Sequence, residues 1–504
     1  MSTSRSRTIG VTGAMLAVVL ALAGCSGGDY GDGGGSTSGR YEPDGAAEVP
    51  FPEDAPDHPY PEDGVWTGMT DPRDDARSTF ALDIDTGSYT RFRDTVRNDG
   101  WVDRGEVRTE EFINYFAQDY PTPERGLGVT LDATAIPFRP EHRLVRVGIA
   151  SAPAHDEVRA DADLALVVDC SGSMGDYGKM ETTKSALRTL VTSLRSTDRV
   201  AIVCYSDDAD VLLEPTRAGE RERILAAVDG LYPQNSTNAA AGLALGYDLA
   251  MDMRTEGRLT RVILISDGVA NVGETDPDGI LQRISTQARA GINLISVGVG
   301  IATYNDHLLE QLADQGDGWH VYVDSDAEAE RVFATGLTGS LVVAAADAKA
   351  QVEFDPAQVA GYRLIGYENR AVADEDFRND AVDGGEVFAG HTTTALYEVA
   401  LREGRHEGPF VWATVRYRDD SGEQVERGAT LAARDCAESP REASPRLHQD
   451  LVVAMLTDHL VHGPWSSYVT TADLKSEARA VLAAVRRDPD VVQLVSLIDS
   501  VTNY

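Results

Sequence analysis

The stretch "LALVVDCSGSM", residues 164–174, joins five apolar residues to a cluster of side-chain oxygens. The apolar run at 164–168 does not alternate with polar residues, which predicts a β-strand covered on both faces, as in a parallel sheet. Asp169, Ser171 and Ser173 follow the strand directly, and open α/β sheets bind ligands beyond the carboxyl ends of their strands. This stretch therefore predicts both a class of fold and the position of a site.

The alternation of strand and helix continues to about residue 339. Apolar runs at 200–205, 261–265, 292–299 and 320–323 predict further strands. Between them, apolar residues recur at helical spacing, as at Leu187, Leu190, Val191 and Leu194. This succession predicts a doubly wound, Rossmann-like α/β domain with helices on both faces of a parallel sheet.

Segments with a β pattern lie on both sides of this domain. Residues 128–152 predict a hairpin and residues 341–433 predict more strands, whereas the chain from residue 446 onward is helical. Because connections between neighbouring elements are short, we expect one β-sandwich into which the α/β domain is inserted. The predicted boundaries are 1–24 for a signal peptide, 25–65 for a lipidated flexible linker, 66–125 for an N-terminal segment, 126–160 and 340–440 for the two parts of the sandwich, 161–339 for the α/β domain and 441–504 for a helical C-terminal region.

The first residues have the pattern of a bacterial export signal. Arg5 and Arg7 precede an apolar run that is long enough for a signal peptide and shorter than a membrane-spanning helix. The run ends in Leu22-Ala23-Gly24-Cys25, where small residues precede a cysteine that would become the acylated first residue. We therefore expect a lipoprotein that Cys25 anchors to the extracytoplasmic face of the cell membrane.

The composition restricts the partners. The formal net charge of −37 comes from 82 acidic and 45 basic residues. Such a charge repels nucleic acid and anionic lipid headgroups, and it attracts divalent cations and basic partners. A solvated acidic surface would explain the same charge, so the charge excludes nucleic-acid binding without assigning a function.

The cysteines besides Cys25 are Cys170, Cys204 and Cys436, too few and too scattered for a disulfide scaffold. Cys170 and Cys204 could form a bridge only if their strands are adjacent, and we expect free buried thiols instead. The sequence contains neither a C-x-x-C nor an H-E-x-x-H motif, so it does not predict a zinc protease.

Two later loops carry further oxygen ligands. Thr237 precedes a predicted helix in "NSTNAA", and Asp267 follows a predicted strand in "LISDG". Both loops should open onto the sheet edge where the motif beginning at Asp169 lies. Three hydroxyls and two carboxylates suit a hard cation, for which we expect Mg²⁺, with Mn²⁺ or Ca²⁺ as alternatives. With only two carboxylates, the ion would retain positive charge and could bind an acidic side chain of a protein partner.

Asp169-x-Ser171-x-Ser173, Thr237 and Asp267, in this order and on these elements, resemble the metal-ion-dependent adhesion site (MIDAS) of von Willebrand factor type A (VWA) domains. The resemblance implies that the two serines and Thr237 bind the ion directly or through water. It also implies that Asp169 and Asp267 act largely through water and that a partner's carboxylate completes the shell. All five ligand positions match.

The similarity extends on both sides. "STFALDIDTGSYTRFRDTVRNDGWVDRGEVRTEEFINYFAQDYP" (78–121) is similar to the segment before the VWA domain in bacterial VWA lipoproteins of the YfbK-like type. "YRLIGYENRAVADEDFRNDAVDGGEVFAGHTTTALYEV" (362–399) and the helical tail resemble the segments after it. The resemblance thus covers nearly the whole mature chain, and it implies a fold and a metal site rather than a reaction.

Two hydrolase patterns compete with this interpretation. Asp85-Thr86-Gly87-Ser88 has the signature of an aspartic-protease carboxylate, but such an enzyme needs two, and the other Asp-Ser-Gly, at Asp420, lies in a predicted hairpin turn. Ser173 stands between a strand and a helix like a nucleophile elbow, but that motif needs glycine where Ser171 stands and a histidine in the crevice. We therefore expect Asp85 to be structural.

The leading hypothesis is a membrane-anchored, non-enzymatic protein that binds a protein partner through a divalent cation. The alternatives are a serine hydrolase that uses Ser173 and a metal-independent scaffold in an envelope complex.

Overall fold

The structure is a computed structural model of the chain. It describes residues 68–98, 102–154, 159–268, 286–287, 290–300, 306–335, 339, 341–367, 370–380, 382, 384–404 and 408–501. The predicted signal peptide, the linker to residue 65 and Cys25 lie outside the described residues. Within the described ranges, no helix combines the length and the apolar character that crossing a membrane requires.

The described residues form the following strands and helices. The strands are β1 (Arg77–Ala81), β2 (Leu127–Ile136), β3 (Arg139–Ser151), β4 (Ala162–Asp169), β5 (Arg199–Tyr205), β6 (Ala209–Arg217), β7 (Leu259–Ser266), β8 (Ile292–Gly298), β9 (Trp319–Tyr322), β10 (Val343–Phe354), β11 (Val359–Ile365), β12 (Ala371–Val372), β13 (Gly385–Phe388), β14 (Thr392–Leu401), β15 (Pro409–Arg418) and β16 (Gln424–Ala432). The helices are α1 (Gly87–Arg97), α2 (Thr109–Tyr115), α3 (Lys179–Ser193), α4 (Arg221–Asp229), α5 (Ala239–Met253), α6 (Asp306–Gln315), α7 (Asp326–Glu330), α8 (Pro445–Val461), α9 (Thr471–Ala484) and α10 (Pro489–Val501).

The α/β domain is built on a sheet with the strand order β6-β5-β4-β7-β8-β9. Neighbouring strands from β5 to β9 are parallel, whereas β6 is antiparallel to β5. The predicted α/β class is confirmed, but the expectation of a wholly parallel sheet is wrong at this edge. Most residues of β6 are exposed or half-buried, so it lacks the continuous apolar run from which the other strands were predicted.

Strand β4 is buried along its whole length and contacts helices on both faces of the sheet. Leu164, Leu166 and Val168 pack in one core with apolar residues of α3. Ala165 and Val167 face the opposite way and pack with Leu243 and Tyr247 of α5. This two-sided burial explains why the strand does not alternate between apolar and polar residues.

The two flanking β segments form a sandwich. One sheet has the order β11-β14-β3-β2, so the hairpin β2–β3 pairs with a strand more than 240 residues later in the sequence, with Val147 opposite Ala395. The second sheet has the order β12-β1-β10-β15-β16, with β13 also paired to β10. Rings from the two sheets meet between them, since Phe354 and Tyr397 have centroids 5.3 Å apart. The predicted insertion of the α/β domain into a sandwich is confirmed.

The N-terminal segment joins the sandwich to the α/β domain. Strand β1 pairs with β10, with Phe80 opposite Ala350, a pairing that the sequence did not predict. The Asp85 carboxylate accepts a hydrogen bond of 2.8 Å from the backbone N–H of His320 in β9. A Cβ atom on Gly87 would lie 2.8 Å from the His320 ring, so this close approach requires glycine. The Asp-Thr-Gly motif therefore has a structural role.

The helical tail covers the outer face of the smaller sheet and packs on α1 and α2. Arg146 on β3 pairs with Asp450 on α8 at 3.0 Å, and the Trp465 indole donates to Glu398 on β14 at 2.8 Å. Burial raises the pKa of Glu398, but hydrogen bonds from His142, Arg363 and Trp465 outweigh it and bring this pKa to about 2. The tail is thus bound to the sandwich by buried charged groups.

A second buried ion pair joins α1 to the α/β domain. The Arg93 guanidinium lies 2.6 Å from Asp324 and 2.9 Å from Glu328, and all three side chains are almost fully buried. Arg97, one turn later, lies 3.4 Å from Asp324 and is 46% exposed. The two arginines therefore differ in burial while sharing one partner.

We predict that Arg93→Met lowers the free energy of unfolding by about 3–5 kcal/mol, because it removes the buried cation from two buried carboxylates. Only the partly exposed Arg97 and Arg331 remain beside them, at 3.4 Å from Asp324 and 3.3 Å from Glu328. Arg97→Met is the matched control and should cost at most about 1 kcal/mol, as expected for an exposed pair. Urea unfolding monitored by circular dichroism measures both. Equal losses in the two variants would contradict this account of the junction.

Candidate functional site

The candidate site lies at the carboxyl end of β4, and the buried carboxylate of Asp169 is its fixed point. One carboxylate oxygen, Oδ1, accepts the backbone N–H of Ser171 at 2.8 Å. The other, Oδ2, accepts the hydroxyls of Tyr205 at 3.1 Å and Ser266 at 2.7 Å, which come from the ends of β5 and β7. Three neighbouring strand ends therefore hold one carboxylate in place.

The loop after β4 places the two motif serines together. The Ser171 and Ser173 hydroxyl oxygens are 3.0 Å apart; Ser171 is buried, and Ser173 is partly exposed. The loop continues as a 3₁₀ segment, Gly172–Gly178, that leads into α3. The two hydroxyls thus lie beside the fixed carboxylate at the rim of the sheet.

The loop that carries Thr237 is hydrogen-bonded to the motif loop. The backbone N–H of Gly172 donates to Asn235 at 2.8 Å, and that of Gln234 donates to Cys170 at 2.7 Å. Thr237 is 2% exposed, two residues beyond Asn235. The structure therefore holds the Thr237 loop against the Asp169 loop.

Asp267 follows the end of β7 and is fully buried. The pKa of Asp169 is raised to about 6, mainly by burial and also by the negative charge of nearby Asp267, against the hydrogen bonds from Ser171 and Ser266. The two carboxylates are thus close enough to repel each other. Such a pair favours a bound cation.

The cation that this structure places there is Lys179, which is not one of the five ligand positions predicted from the sequence. Its ammonium lies 2.9 Å from Asp267 Oδ2, and the lysine is 2% exposed. A Cβ on Gly300, whose φ is +84°, would lie 2.4 Å from the lysine stem, so glycine makes room for it. The sequence offers one indication that Lys179 belongs to the site. The chain has only four lysines, and this one follows the serine motif closely.

Two carboxylates and three hydroxyls fit a hard divalent cation, because such ions take oxygen ligands. Across the described ranges, no group of three or more His, Cys, Asp or Glu side chains is arranged to hold a metal ion. A site here would therefore depend on the hydroxyls of Ser171, Ser173 and Thr237. It would also require the ammonium of Lys179 to share or leave Asp267.

The cysteine beside Asp169 is not a free thiol. Cys170 and Cys204 form a disulfide with a Cα–Cα distance of 5.8 Å, so the expectation of free buried thiols is wrong. The bridge forms because β4 and β5 are adjacent, with Val168 opposite Cys204. Cys436 is free, and burial raises the pKa of its thiol to about 11, so it is almost entirely protonated at neutral pH.

The groups required by the two hydrolase patterns are engaged elsewhere. Asp420 lies in the exposed turn between β15 and β16, whereas Asp85 is buried against β9. His320 is fully buried, and its ring bonds to the Ser296 hydroxyl at 2.7 Å. The Ser173 hydroxyl contacts Ser171. The described geometry therefore shows neither an aspartate dyad nor a histidine at Ser173.

Three family models match the chain. The von Willebrand factor type A domain matches residues 163–335, and a model described as von Willebrand factor matches residues 63–146. The model described as "Uncharacterized protein YfbK, C-terminal" matches residues 339–434. The α/β fold and the residues at its edge thus define a VWA-domain protein.

Relatives with curated names agree. The chain is 34% identical over 333 residues to uncharacterized protein YfbK of Escherichia coli K12, a match that covers 64% of this chain and 58% of the relative. It is 30% identical over 176 residues to human inter-alpha-trypsin inhibitor heavy chain H3, covering 33% of this chain and 20% of the relative. The match therefore spans less than two thirds of either relative. Together with the C-terminal model, these findings show that the chain contains a VWA domain and is similar to YfbK over much of its length.

A solved structure is also similar. The von Willebrand factor type A protein from Catenulispora acidiphila is 16% identical and matches with a TM-score of 0.44, covering 74% of this chain and 89% of that one.

We predict that Lys179→Met raises the affinity of the site for Mg²⁺ at least about tenfold, because it removes a positive charge that competes for the same carboxylate. Lys184→Met is the matched control, since Lys184 lies on the same helix and pairs with the exposed Glu181. Isothermal titration with MgCl₂ measures both affinities. An unchanged or lower affinity in Lys179→Met would show that the lysine does not compete with the ion.

Proposed function

We propose that the protein is a lipid-anchored, extracytoplasmic binding protein whose VWA domain binds an acidic side chain of a protein partner through a divalent cation. VWA-domain proteins mediate protein–protein interactions. We extend this role to a bound cation, a lipid anchor and an acidic partner. Mg²⁺ is the ion proposed, with Mn²⁺ or Ca²⁺ as alternatives.

The observation that carries the proposal is the convergence of oxygens at one sheet edge. Asp169 is held by three hydrogen bonds, the hydroxyls of Ser171 and Ser173 are adjacent, and Asp267 is close enough to raise the pKa of Asp169. Hydroxyl ligands leave a bound divalent ion with positive charge, since they neutralise none of it. An acidic side chain of a partner would neutralise part of that charge.

Two exposed tyrosines flank this edge and could supply further contact area. Tyr177 is 80% exposed and has a left-handed backbone in the loop after Ser173. Tyr232 is 64% exposed in the loop that leads to Thr237. The two loops touch, since a Cβ on Gly175 would lie 3.5 Å from Pro233. Tyrosine is enriched among the residues that dominate binding energy at interfaces.

We predict that Ser173→Ala and Asp169→Ala each abolish Mg²⁺ binding measured by isothermal titration. Ser173→Ala is the sharper test, because the Ser173 hydroxyl is partly exposed and its hydrogen bond is with the Ser171 hydroxyl. The fold should therefore persist without it. The control is Asp210→Ala, which removes an exposed carboxylate from β6. Heats equal to those of the unaltered protein in both site variants would end the proposal of a metal site.

The partner is tested by crosslinking in intact cells. The expected product disappears with EDTA and in Ser173→Ala, weakens in Tyr177→Ala and Tyr232→Ala, and persists in Tyr468→Ala, a control tyrosine that is 52% exposed. A product that forms equally with and without EDTA would favour a metal-independent scaffold.

The anchor is a separate prediction. Cells supplied with labelled palmitate should incorporate it into the unaltered protein and into Cys436→Ser, but not into Cys25→Ser, because only Cys25 follows the lipobox residues. Mass spectrometry should find Cys25 at the mature N-terminus. Label in Cys25→Ser, or a mature chain that retains residues 1–24, would contradict the lipoprotein assignment.

A further inference from the structure

A polar pocket of about 110 Å³ lies where the N-terminal segment, the α/β domain and the sandwich meet. This volume is several times the roughly 10–15 Å³ that one water requires. The charged residues that line it are Asp83 and Asp85 after β1, Asp314 on α6, Glu386 on β13 and Arg370. The pocket thus includes Asp85, the aspartate of the Asp-Thr-Gly motif. This residue belongs neither to an aspartic-protease dyad nor to the proposed metal site.

The lining has four carboxylates and one guanidinium. Arg370 makes a short contact of 2.8 Å with Asp314, but its other terminal nitrogen lies 3.4 Å from Asp85 and 3.6 Å from Asp83. The same nitrogen is 3.5 Å from Glu310, just behind the pocket. Glu310 has a closer cation in Arg108, at 2.5 Å. Arg370 therefore makes one short ion pair, with Asp314, and only longer contacts with Asp83 and Asp85.

Asp83 has an oxygen that this arrangement leaves unsatisfied. The residue is 3% exposed, and its Oδ1 accepts the backbone N–H of Asp85 at 2.9 Å. Its Oδ2 is buried and has no hydrogen-bond partner within the described part of the chain. A buried carboxylate oxygen without a donor is costly, so a group that donates hydrogen bonds and carries positive charge would stabilise it.

We propose that this pocket binds an organic cation, the head group of an alkylguanidinium or alkylammonium, with the carboxylate of Asp83, which lines the pocket, as its principal acceptor. Such a head group offers several N–H donors and one positive charge. A bare metal ion fits less well, because no three acidic or histidine side chains in the described ranges are arranged to hold one. The site is separate from the metal site, so the inference does not rest on the function proposed above.

The protonation of the pocket supports the same ligand. Burial raises the pKa of Asp85 well above its ordinary value; the charges of Asp83, Asp314 and Glu111 raise it further, and Arg370 lowers it. Asp85 therefore takes up a proton at a higher pH than an exposed aspartate does. A cation that replaces this proton would bind more tightly as the pH rises and would release protons on binding.

Two sources could supply this head group. One is a free small molecule, and the other is a lysine or arginine side chain of a protein. The net charge of −37 favours the approach of either one.

The test is isothermal titration of the full-length protein with methylguanidinium and with the peptide acetyl-Gly-Arg-Gly-amide. Asp83→Asn should weaken both at least tenfold, because asparagine keeps an acceptor for the Asp85 N–H but replaces the unpartnered oxygen with a donor. Asp252→Asn is the control, since it makes the same charge change on the exposed face of α5. Circular dichroism verifies that Asp83→Asn is folded, and Ser173→Ala should bind both probes like the unaltered protein.

The outcomes are distinct. Tighter binding of the peptide would identify a protein side chain as the ligand, and equal or tighter binding of methylguanidinium would identify a free cation; either supports the site. Titration in two buffers of different ionisation enthalpy should also show proton release that Asp83→Asn reduces. Equal affinities in Asp83→Asn and Asp252→Asn, or no binding of either probe, would overturn the proposal.

Discussion

The structure depends on the parallel pairing of β4 with β5 on one side and β7 on the other. This register sets Asp169 opposite Tyr205, with Val168 opposite Ile265, so the three strands end together. The hydroxyls of Tyr205 and Ser266 then reach the same carboxylate. A shift of this register would move these hydroxyls away from Asp169 and separate the loops that carry the candidate ligands.

Charge pairing is the second organising constraint in this acid-rich chain. Several buried carboxylates each have an arginine, as in the pairs of Asp198 with Arg159 and of Asp163 with Arg199. Breaking such a pair would leave an uncompensated buried charge. Each pair takes up one acidic and one basic residue, so the excess of 82 acidic over 45 basic residues lies in the rest of the chain.

Two places depart from this pairing, and both have a candidate role. Among the described residues, Lys179 pairs with one of the two buried aspartates at the sheet edge, and Arg370 faces several carboxylates in the pocket. Each place has more negative than positive charge among the groups that meet there. Positively charged ligands, a divalent ion in the first and an organic head group in the second, would offset this excess of negative charge.

The sequence alone determined the α/β class, the hairpin, the helical tail and the candidate ligands, because each depends on a local pattern. Apolar runs mark strands buried on both faces, and the residues that follow them must lie at one sheet edge, as Asp169, Asp267 and the Thr237 loop do. The tertiary structure alone decided the disulfide, the antiparallel strand β6, the place of β1 in the sandwich and the contact of Lys179 with Asp267. Each of these depends on which segments become neighbours. Local periodicity does not show which segments become neighbours. The charge balance at both sites therefore depends on the tertiary structure.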